Sequence, residues 1–414
     1  MSLATDDREG LPGNNRVLSL PPRLRNAGQA GVLRPLNLRE VRVGPYGPHR
    51  TLLRILMTNA CSFNCHYCPM RRDRELPRTL LTPDEIVRIF LTAVARNWAS
   101  GLFITTGIPG RPTRVMDQLI TVLELLRLKH RYRGYIHVKI VPGADDAQVE
   151  RITALASRVS INLETPCGES LAAIAPDKRF ATTWHTLQRA QGQVVAARQE
   201  ERQGRPRDDL TPGGAAGLTT QFVVGATPDT DRTLIAKSGE LYRRGGVHHV
   251  HFSAFRPIRD TPLEGMPGSP VVREHRLYQA DHLIRRYGFR GDEIIFDSLG
   301  NLPHTHDPKL AWALAHPELF PLELNTASRE ELLRVPGIGP RVADRIVATR
   351  RTALLRSGDL RRLGATLTRA QGFLMIKGRR LTQERWREQL AFWAAEERAG
   401  MRDLVYEFSP GTFR

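Results

Sequence analysis

The stretch Leu52–Arg71, LLRILMTNACSFNCHYCPMR, decides how this chain is read. It opens with an apolar run of strand length, 52–58, and then places Cys61, Cys65 and Cys68 on the loop that leaves the strand's C-terminal end. Only 4 Cys occur in 414 residues. The three in this loop cannot build a disulfide framework, because pairing such close neighbours closes strained, tiny rings. They read as metal ligands in a reducing compartment. A structural zinc site would ask for a fourth Cys or His, usually on a second CxxC-like knuckle, and the sequence has no such knuckle. The remaining thiol, Cys167 in NLETPCGE, is read as incidental.

From Arg50 onward short β-rich runs alternate with amphipathic helical patterns. Strands are expected at 52–58, 101–106, 135–141, 158–164, 218–225 and 247–255, with helices over 83–97 and about 115–129, 145–156, 180–197, 231–244 and 271–287. Thr82-Pro83-Asp84-Glu85 marks the first helix by an N-cap, a Pro at the first helical position and a Glu able to complete a capping box. Strand–helix pairs in this number imply right-handed crossovers and a parallel sheet, curled into a partial barrel or left open, with its site at the strand C-termini. The polar stretch 198–217, RQEERQGRPRDDLTPGGAAG, is expected as a surface loop. Near Asn325 the pattern changes to short helices only. The expected plan is a flexible arm at 1–45, an α/β core at 46–318, a helical domain at 319–380, and a C-terminal helix and tail at 381–414.

Lys and Arg total 61 against 43 Asp and Glu, a formal charge of +18, and polyanions are the natural partners of such a surface. An Arg-rich lineage would give the same balance, so the placement of the charge decides. No stretch approaches the ~18–20 apolar residues needed to cross a bilayer. The start, MSLATDDREG, has neither the basic end nor the apolar run of a signal peptide, so a cytoplasmic protein with no membrane partner is expected.

On a loop after the first strand of an alternating β/α pattern, Cys61-x3-Cys65-x2-Cys68, with Tyr67 just before the last Cys, resembles the CxxxCxxC motif of the radical S-adenosylmethionine (SAM) superfamily. The resemblance implies a [4Fe–4S] cluster with one open iron, since such a cluster normally takes four thiolates. It also implies that SAM chelates the open iron and that one electron breaks its sulfonium bond to C5′. The resulting 5′-deoxyadenosyl radical would then take a hydrogen atom from the substrate. An electron donor such as flavodoxin or ferredoxin is implied as a partner. By the same resemblance, Tyr67, Thr106, Gly107, Asn162, Glu164 and Arg179 are candidate SAM contacts. Thr105-Thr106-Gly107 stands where members commonly carry GGE, without its acidic side chain. Asn162-Leu163-Glu164 resembles the Asn-Leu-acid motif that holds the ribose hydroxyls. Arg179 is taken from the pair Lys178-Arg179 for the SAM carboxylate, and Gln221 and Gly225 fit the strand-end segment near adenine. Arg256 reads equally as a ligand for substrate phosphate or an internal ion pair. His249 and His251, expected on one face of their strand, read as packing.

A second motif stands at 325–351, NTASREELLRVPGIGPRVADRIVATRR. Ser328 with Glu331 makes a capping box, Pro336-Gly337-Ile338-Gly339-Pro340 a tight turn, and the small Ala343 lets two helices approach. The stretch resembles the helix-hairpin-helix motif of DNA repair and replication proteins. The resemblance implies backbone N–H groups turned toward a phosphate oxygen, with Gly337, Ile338, Gly339, Arg341 and Arg345 as candidate nucleic-acid contacts that position a duplex without reading its bases. Between Thr326 and Arg380 stand 13 Lys or Arg against 4 Asp or Glu, half of the whole chain's excess. DLRRLGATLTRAQGFLMIKGRR, 359–380, reads as a degenerate second hairpin, and WREQLAFWAAEER as a helix packing back onto a domain. Glycosylases of the endonuclease III type also join such a hairpin to a cluster, but with four Cys and a catalytic Lys where Arg341 stands, and Arg is a poor Schiff-base nucleophile.

Residues 31–380 together resemble bacterial radical SAM proteins that end in a helix-hairpin-helix domain and are described as DNA modification or repair proteins. The implied fold is α/β, a partial (β/α)6 barrel of the radical SAM type with a small all-α helix-hairpin-helix C-terminal domain. The implied partner is DNA. An RNA-modifying radical SAM enzyme and a non-catalytic, redox-sensing Fe–S DNA-binding protein are the alternatives.

Overall fold

The computed structural model describes residues 36–42, 49–203 and 217–381. Within them the chain divides into two compact units. One holds the described residues up to Thr227 with Arg244–Gly268, the other Pro228–Arg243 and the described residues from Ser269 onward.

The first unit is built on a sheet of seven strands in sequential order: β1 (Leu36–Arg42), β2 (His49–Leu56), β3 (Gly101–Thr105), β4 (Tyr135–Lys139), β5 (Arg158–Ser160), β6 (Leu218–Val224) and β7 (Val247–Ala254). From β2 to β7 each strand runs parallel to the next, which gives the expected partial barrel. β1 pairs antiparallel with β2 and falls inside the stretch expected as an arm. LNLREVR alternates too weakly to announce a strand; the open edge of β2 recruits it. Residues 1–35 of that arm lie outside the described residues.

Paired residues of a parallel ladder share a face. One face is therefore apolar and buried, carrying Leu53, Leu102 and Ile136 in one row and Ile55, Ile104, Val138 and Val159 in the next. Helices α1 (Pro83–Ala95), α2 (Pro112–Glu124), α3 (Asp146–Leu155), α4 (Gly168–Ile174) and α5 (Phe180–Arg202) fill the connections. Thr82 Oγ1 accepts from Glu85 N at 3.3 Å while Glu85 Oε2 accepts from Thr82 N at 2.9 Å, completing the expected box of α1. Burial of Ile86, Ile89 and Phe90 holds that helix in place, at about 1.5–3 kcal/mol per fully buried side chain.

Three local expectations are corrected. The strand at 158–164 stops at Ser160, and Glu164 rejoins the sheet as an isolated bridge to Phe222. The loop at 198–217 starts later, because Ala, Arg, Gln and Glu are good helix formers and carry α5 to Arg202. Residues 204–216 lie outside the described residues. Helix α4 was not expected: with 7 residues it is too short for a helical period to show.

The second unit holds α6 (Asp231–Arg243), α7 (Val271–Tyr287), α8 (Pro308–Ala315), α9 (Arg329–Arg334), α10 (Pro340–Thr349), α11 (Ser357–Arg362) and α12 (Leu367–Ala370). Buried Asp231 accepts from Arg273 Nε at 2.7 Å and from Leu302 N at 2.9 Å, tying the start of α6 to its neighbours. Beside the short helices lies a small sheet of β8 (Leu322–Glu323), β9 (Leu374–Ile376) and β10 (Arg379–Arg380), whose strands are too brief to read from sequence. The tail helix expected near Trp386 lies outside the described residues.

Candidate metal centre and nucleic-acid interface

The cysteine loop is closed at its base by Thr58 and Asn59. Thr58 Oγ1 donates to Thr79 O at 2.6 Å, Asn59 Nδ2 donates to Pro77 O at 2.8 Å, and Asn59 Oδ1 accepts from Thr79 N at 2.8 Å. Arg78, which sequence reasoning missed, then latches the interior of the loop. Its guanidinium donates to the carbonyls of Asn59 at 2.6 Å, Met70 at 2.9 Å, Arg71 at 2.7 Å and Arg74 at 2.8 Å. Helix α4 forms the wall: Leu171 and Ala175 pack on Cys65 with Phe63, Tyr67 and Phe180 beside them, and His66 N donates to Ile174 O at 2.8 Å.

Cys61, Cys65 and Cys68 are all free thiols, Cys65 the most buried. Burial pushes the Cys65 thiol up, with Lys178 opposing and Cys61 adding to the rise; burial also brings Cys68 up to about 12, with Cys65 and Cys61 again repelling its ionised form. The ionised forms of Cys65 and Cys68 oppose each other, and a cationic centre bound at the sulfurs would offset that cost and release their protons. Among the described residues no three His, Cys, Asp or Glu side chains converge as ligands of one metal ion would. A [4Fe–4S] cluster makes a different demand, one thiolate per iron, and the free thiol set fits it. Cys167 stands apart at the N-cap of α4, its Sγ 3.3 Å from Ser170 Oγ.

Next to the thiols lies a buried polar group. Glu164 Oε1 accepts from Lys178 Nζ at 2.8 Å, Glu164 Oε2 lies 3.4 Å from Asn162 Nδ2, and Lys178 Nζ is 3.3 Å from the Tyr67 hydroxyl. Burial pushes the Glu164 carboxyl up, but the ammonium of Lys178, helped by Lys139, outweighs it and holds the group below the usual carboxylate range. Burial, then Glu164, pushes the Tyr67 phenol well up, so it stays protonated. Glu164 takes φ 67, a left-handed conformation costly for a side chain of this size, which fits a residue held for a purpose. The structure thus brings Asn162, Glu164 and Tyr67 together. Arg179 does not: it is exposed at the N-cap of α5, and its neighbour Lys178 is the base that reaches the group.

Thr106 and Gly107 lie against the first residues of the cysteine loop. Gly107 N donates to Thr58 O at 2.7 Å, and Thr106 Oγ1 donates to Gly107 O at 2.6 Å. A Cβ on Gly107 would stand 2.2 Å from Ala60 O, so alanine there pushes backbone on backbone. Gly107→Ala is expected to cost about 1–3 kcal/mol and to lower iron incorporation. Thermal unfolding and iron analysis check it, and an unchanged melting temperature with full iron content would contradict the close approach. Gly225 takes φ 88 at the end of β6, Gln221 O accepts from Glu164 N at 2.9 Å, and Arg256 is exposed.

In the second unit, α9 and α10 form the hairpin around Gly337 and Gly339. Gly337 has φ 82, and Gly339 is the N-cap of α10. Helices α11 and α12 with Gly364 at φ 93 repeat the plan, as the sequence suggested. Each turn is fixed to the other hairpin: Thr366 N donates to Gly337 O at 3.1 Å, and Arg345 Nη1 donates to Leu363 O at 3.2 Å. Ile338 is buried, and its carbonyl accepts from the Lys309 amine, which burial and then Arg334 hold well below its ordinary value. Its side chain therefore anchors the turn, while Arg341 and Arg345 are exposed. A Cβ on Gly337 would stand 2.6 Å from Thr366 O, so Gly337→Ala combines a backbone clash with a left-handed φ. The strain alone costs about 1–3 kcal/mol, and duplex affinity should fall with it. An unchanged dissociation constant in a fluorescence-anisotropy titration would contradict a turn that shapes the interface.

Residues 55–194 match the family model of the radical SAM superfamily, and residues 321–354 that of the helix-hairpin-helix motif. The chain is 33% identical over 115 residues to the Holliday junction branch migration complex subunit RuvA of Micrococcus luteus, covering 27% of this chain and 52% of that protein. It spans about half the length of the curated relative it matches. Among solved structures, the [FeFe]-hydrogenase maturase HydG of Carboxydothermus hydrogenoformans superposes with a TM-score of 0.44 at 18% identity, over 56% of this chain and 51% of that one. Methylornithine synthase (PylB) gives a TM-score of 0.42 at 16% identity, over 55% of this chain and 61% of that one. Among the described residues no helix is long and apolar enough to cross a membrane.

Proposed function

We propose that this chain, which carries a radical SAM domain and a helix-hairpin-helix motif, is a cytoplasmic enzyme that modifies or repairs DNA by radical chemistry started at its cysteine loop. The superfamily's cofactors are a [4Fe–4S] cluster and SAM, which when bound supply one-electron cleavage of SAM and an organic radical able to take hydrogen from carbon. The observation that carries the reading is the group of Asn162, Glu164 and Lys178, joined to Tyr67 of the loop that carries the three free thiols.

In this reading Cys61, Cys65 and Cys68 each hold one iron, and Arg78 keeps the loop from relaxing away. Asn162 and Glu164 hold the ribose hydroxyls of SAM. Lys178 keeps the Glu164 carboxylate charged and aimed, which leaves its Oε2 edge for a hydroxyl donor. Tyr67 shields the pair from water, and Thr106 with Gly107 lines the approach to the SAM amino group. Arg179, exposed, serves at most as a surface contact, whereas Lys178 is better placed for charge. A flavodoxin or ferredoxin supplies the electron.

Residues 46–318 do this chemistry and 319–380 grip the nucleic acid. In the first hairpin the N–H groups of Gly337 and Gly339, with the side chains of Arg341 and Arg345, take backbone phosphates of a duplex, while Ile338 N is already donated to Val335 O at 3.1 Å. The relative's own name makes it a subunit of a Holliday junction branch migration complex, which supports DNA over other polyanions. Binding of duplex DNA and duplex RNA of one sequence, titrated across salt, tests this part. DNA should bind more tightly, with log affinity falling about 0.9 per phosphate contact per decade of salt. A preference for RNA would instead make RNA the substrate.

A further inference from the structure

On the sheet face opposite the buried apolar rows, strand register gathers a second set of titratable side chains. Arg54, Phe103, His137 and Arg158 are successive partners across β2 to β5. Further along the strands, Lys139, Ser160, Thr219 and His249 are partners across β4 to β7, with Gln221 opposite His251 beyond them. The basic members act on one another. Burial, then Arg158, Lys139 and Arg54, pushes His137 well below the ordinary imidazole value; burial, then His249, His137 and Arg158, does the same to His251. Burial brings Lys139 down to about 8. The carboxylate that acts on Lys139 is Glu164, and that charge is already met by Lys178 at 2.8 Å.

On this face Arg158 Nε, and Thr219 Oγ1 on a side chain of 0% exposure, are buried with no hydrogen-bond partner. Leaving such donors unmet costs stability, and crowding basic groups costs more, unless an anion fills the space between them. A phosphate suits the set. Its oxygens can be shared among a guanidinium, an ammonium and a hydroxyl on adjacent strands, each bond strengthened by charge.

We propose that this face binds a phosphate group of the substrate, so that the molecule acted on is a nucleotide, free or within a strand, held by its phosphate between Arg158 and Lys139. That the bound nucleotide is the substrate rests on the proposed function; the binding itself does not. The competing use of the same cations is to hold the carboxylate of SAM.

Isothermal titration of the reconstituted full-length protein tests the proposal, with thymidine, thymidine 5′-monophosphate and the dinucleotide TpT as probes and SAM titrated separately. The monophosphate or the dinucleotide should bind at least tenfold more tightly than thymidine. Lys139→Met and Arg158→Met should each remove that advantage, and Arg158→Met should do so while leaving SAM affinity unchanged. Arg158→Lys should keep part of the advantage, which separates loss of charge from loss of fold. Tighter binding of TpT identifies a strand as the source of the phosphate, and tighter binding of the monophosphate a free nucleotide. Equal binding of thymidine and both phosphates overturns the proposal. So do variants that weaken SAM and spare the nucleotide. Retained phosphate binding in a protein that never cleaves SAM would sink the radical reading alone.

Discussion

Cys65→Ala should abolish formation of 5′-deoxyadenosine and methionine from SAM, by at least about a thousandfold, or ~4 kcal/mol in the barrier. Cys65 is the central cysteine of the loop and the most buried of the three, packed on Leu171 and Ala175. Alanine fills nearly the same apolar space, so the fold should survive while one iron loses its thiolate. Anaerobic reconstitution followed by iron and sulfide analysis and product chromatography checks both halves. Cleavage at the wild-type rate with two thiols would refute the assignment of the loop. Cys167→Ala is the matched control. That thiol sits outside the loop, and its removal should leave iron content and turnover as they were.

The second large effect belongs to Lys178→Met. Lys178 and Glu164 are 10% and 6% exposed, and the variant strands a buried carboxylate without its partner, a change that typically costs about 3–5 kcal/mol. The pH dependence carries a sign. With Lys178 present the folded pKa of Glu164 is lowered, so the pair's contribution is full above the unfolded carboxylate value and is lost as pH falls through the folded one. Without Lys178, burial should outweigh Lys139 and raise the folded pKa, so the variant should gain stability as pH falls from that raised value to the unfolded carboxylate value, a range in which the wild type is flat, since its own loss begins only below that value. Urea unfolding of both proteins from pH 4 to pH 8 reads this directly. Parallel pH profiles would show that the ion pair does not set the state of Glu164. Glu164→Gln/Lys178→Met, which removes both charges, should recover most of the stability but not the affinity for SAM.

The parallel core was legible because strand runs such as 101–106 and 135–141 alternate with helices that carry their own start signals, Thr82 with Glu85 being the clearest. The thiols were legible because their spacing is covalent. What escaped was tertiary. Arg78 acts through its guanidinium on carbonyls of residues 59 to 74, and nothing in an isolated Arg announces that. Choosing between Lys178 and Arg179 required knowing which of two adjacent side chains turns inward where α5 begins, a question of one helical step. Helix α4, the wall of the thiol loop, shows in sequence only as Leu171 and Ile174 among small and polar residues. The basic sheet face was hidden for a further reason. Arg54, His137, Arg158 and His251 lie on four strands, and only parallel register makes them neighbours. His249 and His251, read from sequence as packing on one face, do share it, with ring centroids 4.5 Å apart.

The most direct test of the account is whether hydrogen passes from DNA to the adenosyl group. The reduced, reconstituted protein is incubated with SAM and with duplex DNA prepared from deuterated nucleotides, and the 5′-deoxyadenosine is examined by mass spectrometry. Deuterium in that product, together with a changed nucleoside in the digested DNA, is the result expected here. Unlabelled 5′-deoxyadenosine and unchanged DNA, from a protein whose cluster is intact and whose hairpins hold the duplex, would contradict it.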